Sequence, residues 1–500
     1  MKTLIIASWG RPKSRDGRWL WKEARYISED RRYLINARSS LALLTHMALE
    51  EGITPHILII APDTLFTSTN APTPKTYHEL LRAVESWLRE CTREMGEETG
   101  LKPIEEAEIT ILPGIGRFKR GDEEYVFQAQ LSNFRILSYL KILRHLIEGG
   151  FQEIWIDLTH GINYSTTLTY QSTIDALESL ALYEGLTAEE TKDRLKVYNS
   201  DPYDPAKEEG QELILHEIKS TTFTSINLPK IKDLKRNLKS KNPISKLLKI
   251  EAEREEAKRI AAIKKELLKT QDEAIINKSR SLLTTIGSME KGIIPPLKII
   301  FNPEQFRKVN EIISDLYEWI YKTMINEEIS TIEKSGRIIK IRRCINLKNE
   351  LIQLTKSLCL ANHISKIICE KSEWAKLSEL KETLEKLSKW ISGTVVTISK
   401  IEYGNIAMKT IDKLRGNKIK LKELEDGIML SKIIYGEEPF QKRNLIAHGG
   451  LERTITKIRL KGKLNLEEEN LINKAMDFLE VTYTDEGMQR AYKAVIDPDP

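Results

Sequence analysis

The chain has 500 residues, with 78 Lys and Arg against 73 Asp and Glu. Its length exceeds one comfortable hydrophobic core, so two or three domains are expected. A net charge of +5 permits an RNA partner without demanding one, and the composition fits a soluble, helix-rich globular protein.

Four cysteines (Cys91, Cys344, Cys359 and Cys369) show no C-x-x-C spacing, which argues against a disulfide or metal framework and for a reducing cytoplasm. Cys359, His363 and Cys369 read as parts of an apolar helix surface, so no metal site is expected. "MKTLIIASWGRPK" starts like a signal peptide, but its apolar run is too short, and nothing later approaches the roughly 18 apolar residues of a membrane span.

In chain order, "TLIIAS" (Thr3 to Ser8) predicts a strand buried on both faces. A basic loop follows, with Arg11, Lys13, Arg15, Arg18, Arg31 and Arg32. Ser39 and Ser40 can cap the helix "LALLTHMALEEG". "HILIIAP" predicts a second strand, Tyr77 to Arg93 a helix, and "AEITILP" a third strand. The amphipathic helix "NFRILSYLKILRHLIEGG", the strand "FQEIWIDLTHG" and the helix "STTLTYQSTIDALESLALYEG" come next. "RLKVYNS" and "ELILHEIK" add two strands. Strands alternating with helices predict a Rossmann-like, doubly wound, mostly parallel sheet over residues 1–222.

Ligands of such sheets bind beyond the C-terminal strand ends. Two ends stand out here: Ser8, Trp9 and Gly10 after the first strand, and Thr159, His160, Gly161 and Asn163 before a helix. Small hydroxyl residues, glycines and a helix start can present N–H donors to an anionic or nucleotide ligand. Gly114 and Gly116 fail to complete G-x-G-x-x-G because Lys119 holds the third position. Gly116 to Gly121 mimics P-loop spacing, but Asp122 replaces the required lysine. Neither an NAD enzyme nor a P-loop ATPase is supported.

Residues 223–296 predict a basic helical linker, in which a helix-turn-helix could hide, with a long exposed helix after Lys249 as a candidate lever. Pro295 and Pro296 mark its end. From 297 to 500, helical patterns broken at Gly336, Gly393, Gly404, Gly416 and Gly436 predict a strand-free, all-α bundle of about five or six helices.

"RNLIAHGG" falls late in that bundle. The glycine pair should end a helix beside His448 and leave its ring exposed. Arg443 and His448 lie roughly 140° apart on a helix, but a long guanidinium can still reach a phosphate near the imidazole. Asn444 can orient either one. Cleavage of RNA by its own 2′-hydroxyl needs a proton taken, a proton given and positive charge on the phosphorane. One histidine is too few, and a two-fold dimer would supply two.

"RNLIAHGG" resembles the Arg-Asn-to-His motif of HEPN ribonucleases. "WIDLTHGINY", after "LIIASWG" and before "VYNSDPY", resembles the sensor half of CARF proteins. Together they resemble the CARF–HEPN ribonucleases of type III CRISPR systems. The resemblance implies a cytoplasmic, metal-independent endoribonuclease that cleaves single-stranded RNA to a 2′,3′-cyclic phosphate. It implies activation by cyclic tetra-adenylate, or another cyclic oligoadenylate, bound across paired sensor domains. On that likeness Ser8, Trp9, Gly10, Thr159, His160, Gly161 and Asn163 hold the activator, and Arg443, Asn444 and His448 cut. His160 or Thr159 could also cleave the activator slowly. The alternative, drawn from the basic middle segment, is a ligand-responsive DNA-binding regulator.

Overall fold

A computed structural model of the chain describes residues 1–161, 163–204, 210–218, 225–434 and 439–497, leaving out the side chain of Asn163. Continuous apolar runs build the centre of the first half. β1 (Lys2–Ser8), β4 (Thr54–Pro62), β5 (Glu108–Leu112), β8 (Glu153–Asp157) and β9 (Leu195–Ser200) pair in parallel. β2 (Ala24–Ser28), β3 (Leu34–Ala37) and β10 (Glu212–Glu217) extend the sheet to the order β3-β2-β10-β9-β8-β1-β4-β5. Alternation along β1 sorts its side chains between the two faces. Leu4 and Ile6 join one apolar cluster, with helices Leu131–Gly149 and Asn163–Glu184. Ile5 and Ala7 join the other, with helices Ser40–Glu50 and Tyr77–Thr99. The α/β expectation holds, down to the Ser39 hydroxyl accepting from the Leu41 N–H.

The basic segment after Gly10 is more than a loop, because β2 and β3 form a hairpin within it. Several of its cations are already engaged: Lys13 with Glu94 at 2.5 Å, Arg18 with Asp16 at 2.6 Å, and Arg32 with Asp30.

The second half is predominantly helical, with Val309–Ile325, Glu350–Ile367 and Gly393–Arg415 as its long helices. The expectation that it lacks strands fails. β12 (Ser330–Ser335) and β13 (Ile338–Arg343) form a hairpin, and Gly336 (φ +59°) makes its turn rather than a helix break. β13 pairs in parallel with β7 (Glu123–Gln128), which pairs with β6 (Gly116–Arg120), so one small sheet is drawn from both halves. β11 (Leu248–Ile250) pairs with β14 (Ile345–Leu347), and its segment is packed rather than free. The predicted lever after Lys249 is broken at Leu268 into helices Arg254–Leu267 and Lys269–Ile276, and Ile260 and Leu268 are buried. β15 (Ala375–Lys376), β16 (Ile428–Met429), β17 (Thr456–Leu460) and β18 (Leu479–Tyr483) form a second small antiparallel sheet, order β15-β18-β17-β16. No described helix is long and apolar enough to cross a membrane. Gly436 lies outside the described residues.

Buried charge fastens the halves together. Arg343, at the end of β13, pairs with Asp63, just after β4, and both side chains are 0% exposed. Asp63 also accepts from the Tyr77 hydroxyl at 2.8 Å and the Gly114 N–H at 2.8 Å. Burial pushes the guanidinium down to about 9, which leaves it charged at neutral pH, over the rings of Tyr77 and Phe127. On the other face Lys356 is buried against Glu178 and lies 3.3 Å from Asp175. Breaking such a pair from one side strands the other charge in the interior. Arg343→Met should therefore cost about 3–5 kcal/mol in denaturant unfolding, and Arg343→Met with Asp63→Asn should recover part of that loss.

Candidate functional sites

The first site lies where β1 and β8 end. The Gly10 N–H donates to the His160 carbonyl at 2.8 Å, so the two predicted loops meet. Asp157, buried at the end of β8, accepts from the Ser40 hydroxyl at 3.0 and 2.8 Å and from the Thr159 N–H at 3.0 Å. That anchors the start of the loop. The Thr159 hydroxyl accepts from the Ser200 N–H at 3.2 Å, tying the loop to β9. Ser8 Oγ and Ser165 Oγ are 3.0 Å apart. A Cβ on Gly161 would lie 1.8 Å from Thr166 Oγ1 and 2.9 Å from Ser8 Oγ, so only glycine fits. Ser8, Trp9, Gly10, Thr159, His160 and Gly161 thus form one cluster. Asn163 opens the next helix, and its side chain lies outside the described residues.

Two residues missed in the sequence complete this cluster. Trp21 stacks on the His160 ring at 4.3 Å and meets Trp9 edge-on at 5.1 Å. The Tyr26 hydroxyl lies 3.3 Å from His160 Nε2. Both sit in the segment read as a basic loop, where arginines mask the aromatic spacing. Burial pushes the His160 imidazole down to about 4, with Asp157 pulling weakly the other way. The ring is neutral at physiological pH, so it can stack and hydrogen-bond but adds no positive charge.

The second site forms around a short helix, Lys442–Ala447, with His448 as its C-cap. The His448 N–H donates to the Asn444 carbonyl at 2.9 Å, and Arg443 is exposed to solvent. The glycines beside it predict an exposed ring; His448 is instead half-buried, with its side chain 45% exposed. Those glycines do more than stop a helix. Gly449 (φ +58°) and Gly450 (φ +90°) occupy the left-handed region. Their carbonyls accept from the buried hydroxyls of Tyr403 at 3.1 Å and Tyr483 at 2.7 Å. A Cβ on Gly450 would lie 2.8 Å from Pro295 Cδ, and one on Gly449 2.9 Å from Ser399 Oγ.

Sequence reading also missed Glu402, on helix Gly393–Arg415, whose Oε2 lies 3.4 Å from His448 Nδ1. No local signal links the two, because tertiary packing alone brings them together. Facing the Glu402 carboxylate raises the His448 pKa, against a smaller opposing effect of burial. With Nδ1 turned to Glu402, Nε2 is left for proton transfer.

Comparison with known proteins agrees with both halves. The family model for the CARF domain of the CRISPR system endoribonuclease Csx1 matches residues 4–202, and that for its HEPN domain matches residues 394–468. A CRISPR system endoribonuclease Csx1 from Methanocaldococcus jannaschii is 23% identical over 502 residues, covering 96% of this chain and 92% of the relative. A structure of Enterococcus italicus Csm6 bound to cyclic hexa-2′-fluoro-hexa-dAMP aligns with all of this chain and 95% of its own, at 12% identity and a TM-score of 0.23. A CARF domain followed by a HEPN domain defines a CRISPR-associated endoribonuclease. The chain belongs to the CARF–HEPN ribonucleases of CRISPR systems, and the DNA-binding alternative is not favoured.

Gly450→Ala should destabilise the chain by about 2–4 kcal/mol, from left-handed strain plus the Pro295 clash, measured by thermal or denaturant unfolding. Glu402→Gln should move the His448 titration, followed by NMR, to lower pH. An unmoved titration would show that the carboxylate does not set it.

Proposed function

We propose that the chain is an endoribonuclease of type III CRISPR defence, switched on by cyclic tetra-adenylate and cutting single-stranded RNA in the cytoplasm. In this reading residues 1–222 sense, residues 297–500 cut, and residues 223–296 bridge them. The observation that carries it is the half-buried His448, which faces Glu402 and follows an exposed Arg443 in the same short segment, inside the HEPN-matching region.

Two chains meet so that their His448 and Arg443 side chains share one cleft. A neutral His448 removes the 2′-hydroxyl proton through Nε2, and the 2′-oxygen attacks phosphorus. A protonated His448 of the second copy gives its proton to the departing 5′-oxygen. The products are a 2′,3′-cyclic phosphate and a 5′-hydroxyl. The raised pKa of His448 supports the protonated role, since the acid form persists closer to neutral pH. Arg443 stabilises charge on the phosphorane, and Asn444 supports the helix end. The step uses side chains alone, so cleavage should persist in EDTA.

In the sensor, Ser8, Trp9, Gly10, Thr159, Gly161 and Asn163 hold the activator, and the neutral His160 stacked on Trp21 forms an aromatic shelf for adenine. Ligand turnover through His160 or Thr159 would appear as loss of the ring in chromatography.

A continuous route supports coupling of the two sites. Helix Asn163–Glu184, 22 residues and about 33 Å long, starts at the sensor loop. Beyond its far end, the Gly185 carbonyl accepts from Lys389, and His363 packs on Gly185 and on Trp390 at 5.0 Å. Helix Gly393–Arg415, which carries Glu402, begins just after. The activator would then bias a packed arrangement along this line.

An RNase assay with and without cyclic tetra-adenylate tests the proposal. Wild-type protein should cut far faster with activator than without it. His448→Ala should lose roughly 10²–10⁴-fold or more of that activity while binding the activator normally. Wild-type-like cleavage by His448→Ala would remove the catalytic assignment. Lys389→Ala, at an exposed position, should keep its basal rate and lower the activation ratio by roughly 2–30-fold.

A further inference from the structure

At the opposite end of the sensor sheet, His56 near the start of β4, Glu108 at the start of β5 and His145 on helix Leu131–Gly149 converge. Their ligand atoms all lie within 4.8 Å of one another. Nε2 of His145 is 3.2 Å, and Nε2 of His56 3.7 Å, from the same oxygen, Glu108 Oε2. A tetrahedral zinc ion with bonds of about 2.0–2.1 Å spaces its ligand atoms roughly 3.4 Å apart. The observed separations bracket that spacing. His145 Nε2 is a buried atom with no hydrogen-bond partner, because its approach to Glu108 has the distance but not the alignment of a hydrogen bond. Lys141 Nζ holds the other oxygen, Glu108 Oε1, at 2.5 Å. That leaves Oε2 for a ligand and fixes the carboxylate's orientation, as an outer partner of a metal ligand does, although the ammonium charge lowers cation affinity.

We infer that His56, Glu108 and His145 form a binding site for a zinc-class divalent cation. Two imidazoles with one carboxylate favour zinc, copper or nickel over magnesium or calcium. The side chains of His56, Glu108 and His145 are 45%, 35% and 15% exposed, so the site opens to solvent on one side and can take water as a fourth ligand. The bound ion would clamp β5, the last strand of the sheet, to its neighbour β4 and to the covering helix. It lies at the sheet end away from Ser8, so it stands apart from the sensor loops and takes no part in the RNA step proposed above.

The experiment is zinc titration of the full chain, with metal content measured by plasma mass spectrometry after dialysis. One zinc per chain is expected, with a rise in Tm of roughly 2–4 °C and visible tetrahedral bands when cobalt replaces zinc. His145→Gln and His56→Gln should each lose the ion. If His145→Gln does not fold, His56→Gln, at the more exposed imidazole, decides the question. Substoichiometric zinc in the wild type, or full zinc in the folded variants, would overturn the site. RNA cleavage in EDTA is read separately, so failure here leaves the HEPN assignment intact.

Discussion

The pairing of Arg343 with Asp63 is the constraint on which the rest of the architecture depends. Both side chains are wholly buried, and taking two charges out of water costs several kcal/mol per ion unless geometry and added hydrogen bonds offset it. The offset comes from Tyr77 and Gly114, two neighbours supplied by the first half alone. Asp63 is therefore held ready for a cation that only the second half supplies. Once Arg343 arrives, β13 is fixed beside β7, and the apolar core continues from Leu4 in β1 to Ile496 near the far end. The two halves therefore share one packed core.

Two imidazoles, those of His160 and His448, differ in protonation because their surroundings differ. His160 is enclosed by aromatic rings, and desolvation leaves it neutral. His448 faces a carboxylate from another helix and gains affinity for a proton. Neutral stacking suits recognition of a flat base, whereas a proton that comes and goes suits chemistry at phosphorus. The difference follows from what each imidazole touches.

How much of this was legible in the sequence depended on whether a signal was local. β1, β4, β5, β8 and β9 were readable because a strand covered on both faces needs an unbroken apolar run. The meeting of the loops after β1 and β8 was legible because small residues cluster where those two strands end. "STIEKSGRIIKIRR" was not read as a hairpin. Its charges suggest a helix surface, and its partner β7 lies in the other half of the chain. β2 and β3 were hidden among arginines in the same way. Arg443, Asn444 and His448 share one short segment and could be named, but Glu402 and the trio of His56, Glu108 and His145 meet only through packing.

The hairpin of β12 and β13 also bears on how the protein is made. The ribosome releases the sensor strands first, yet β7 lacks one edge partner, and Asp63 its counter-charge, until residue 343 has emerged. A nascent chain halted before that point holds a sensor whose small sheet is half-built and a cutting segment not yet translated. Interrupted synthesis thus yields an incomplete fold, with one edge of β7 open and a buried carboxylate lacking its cation.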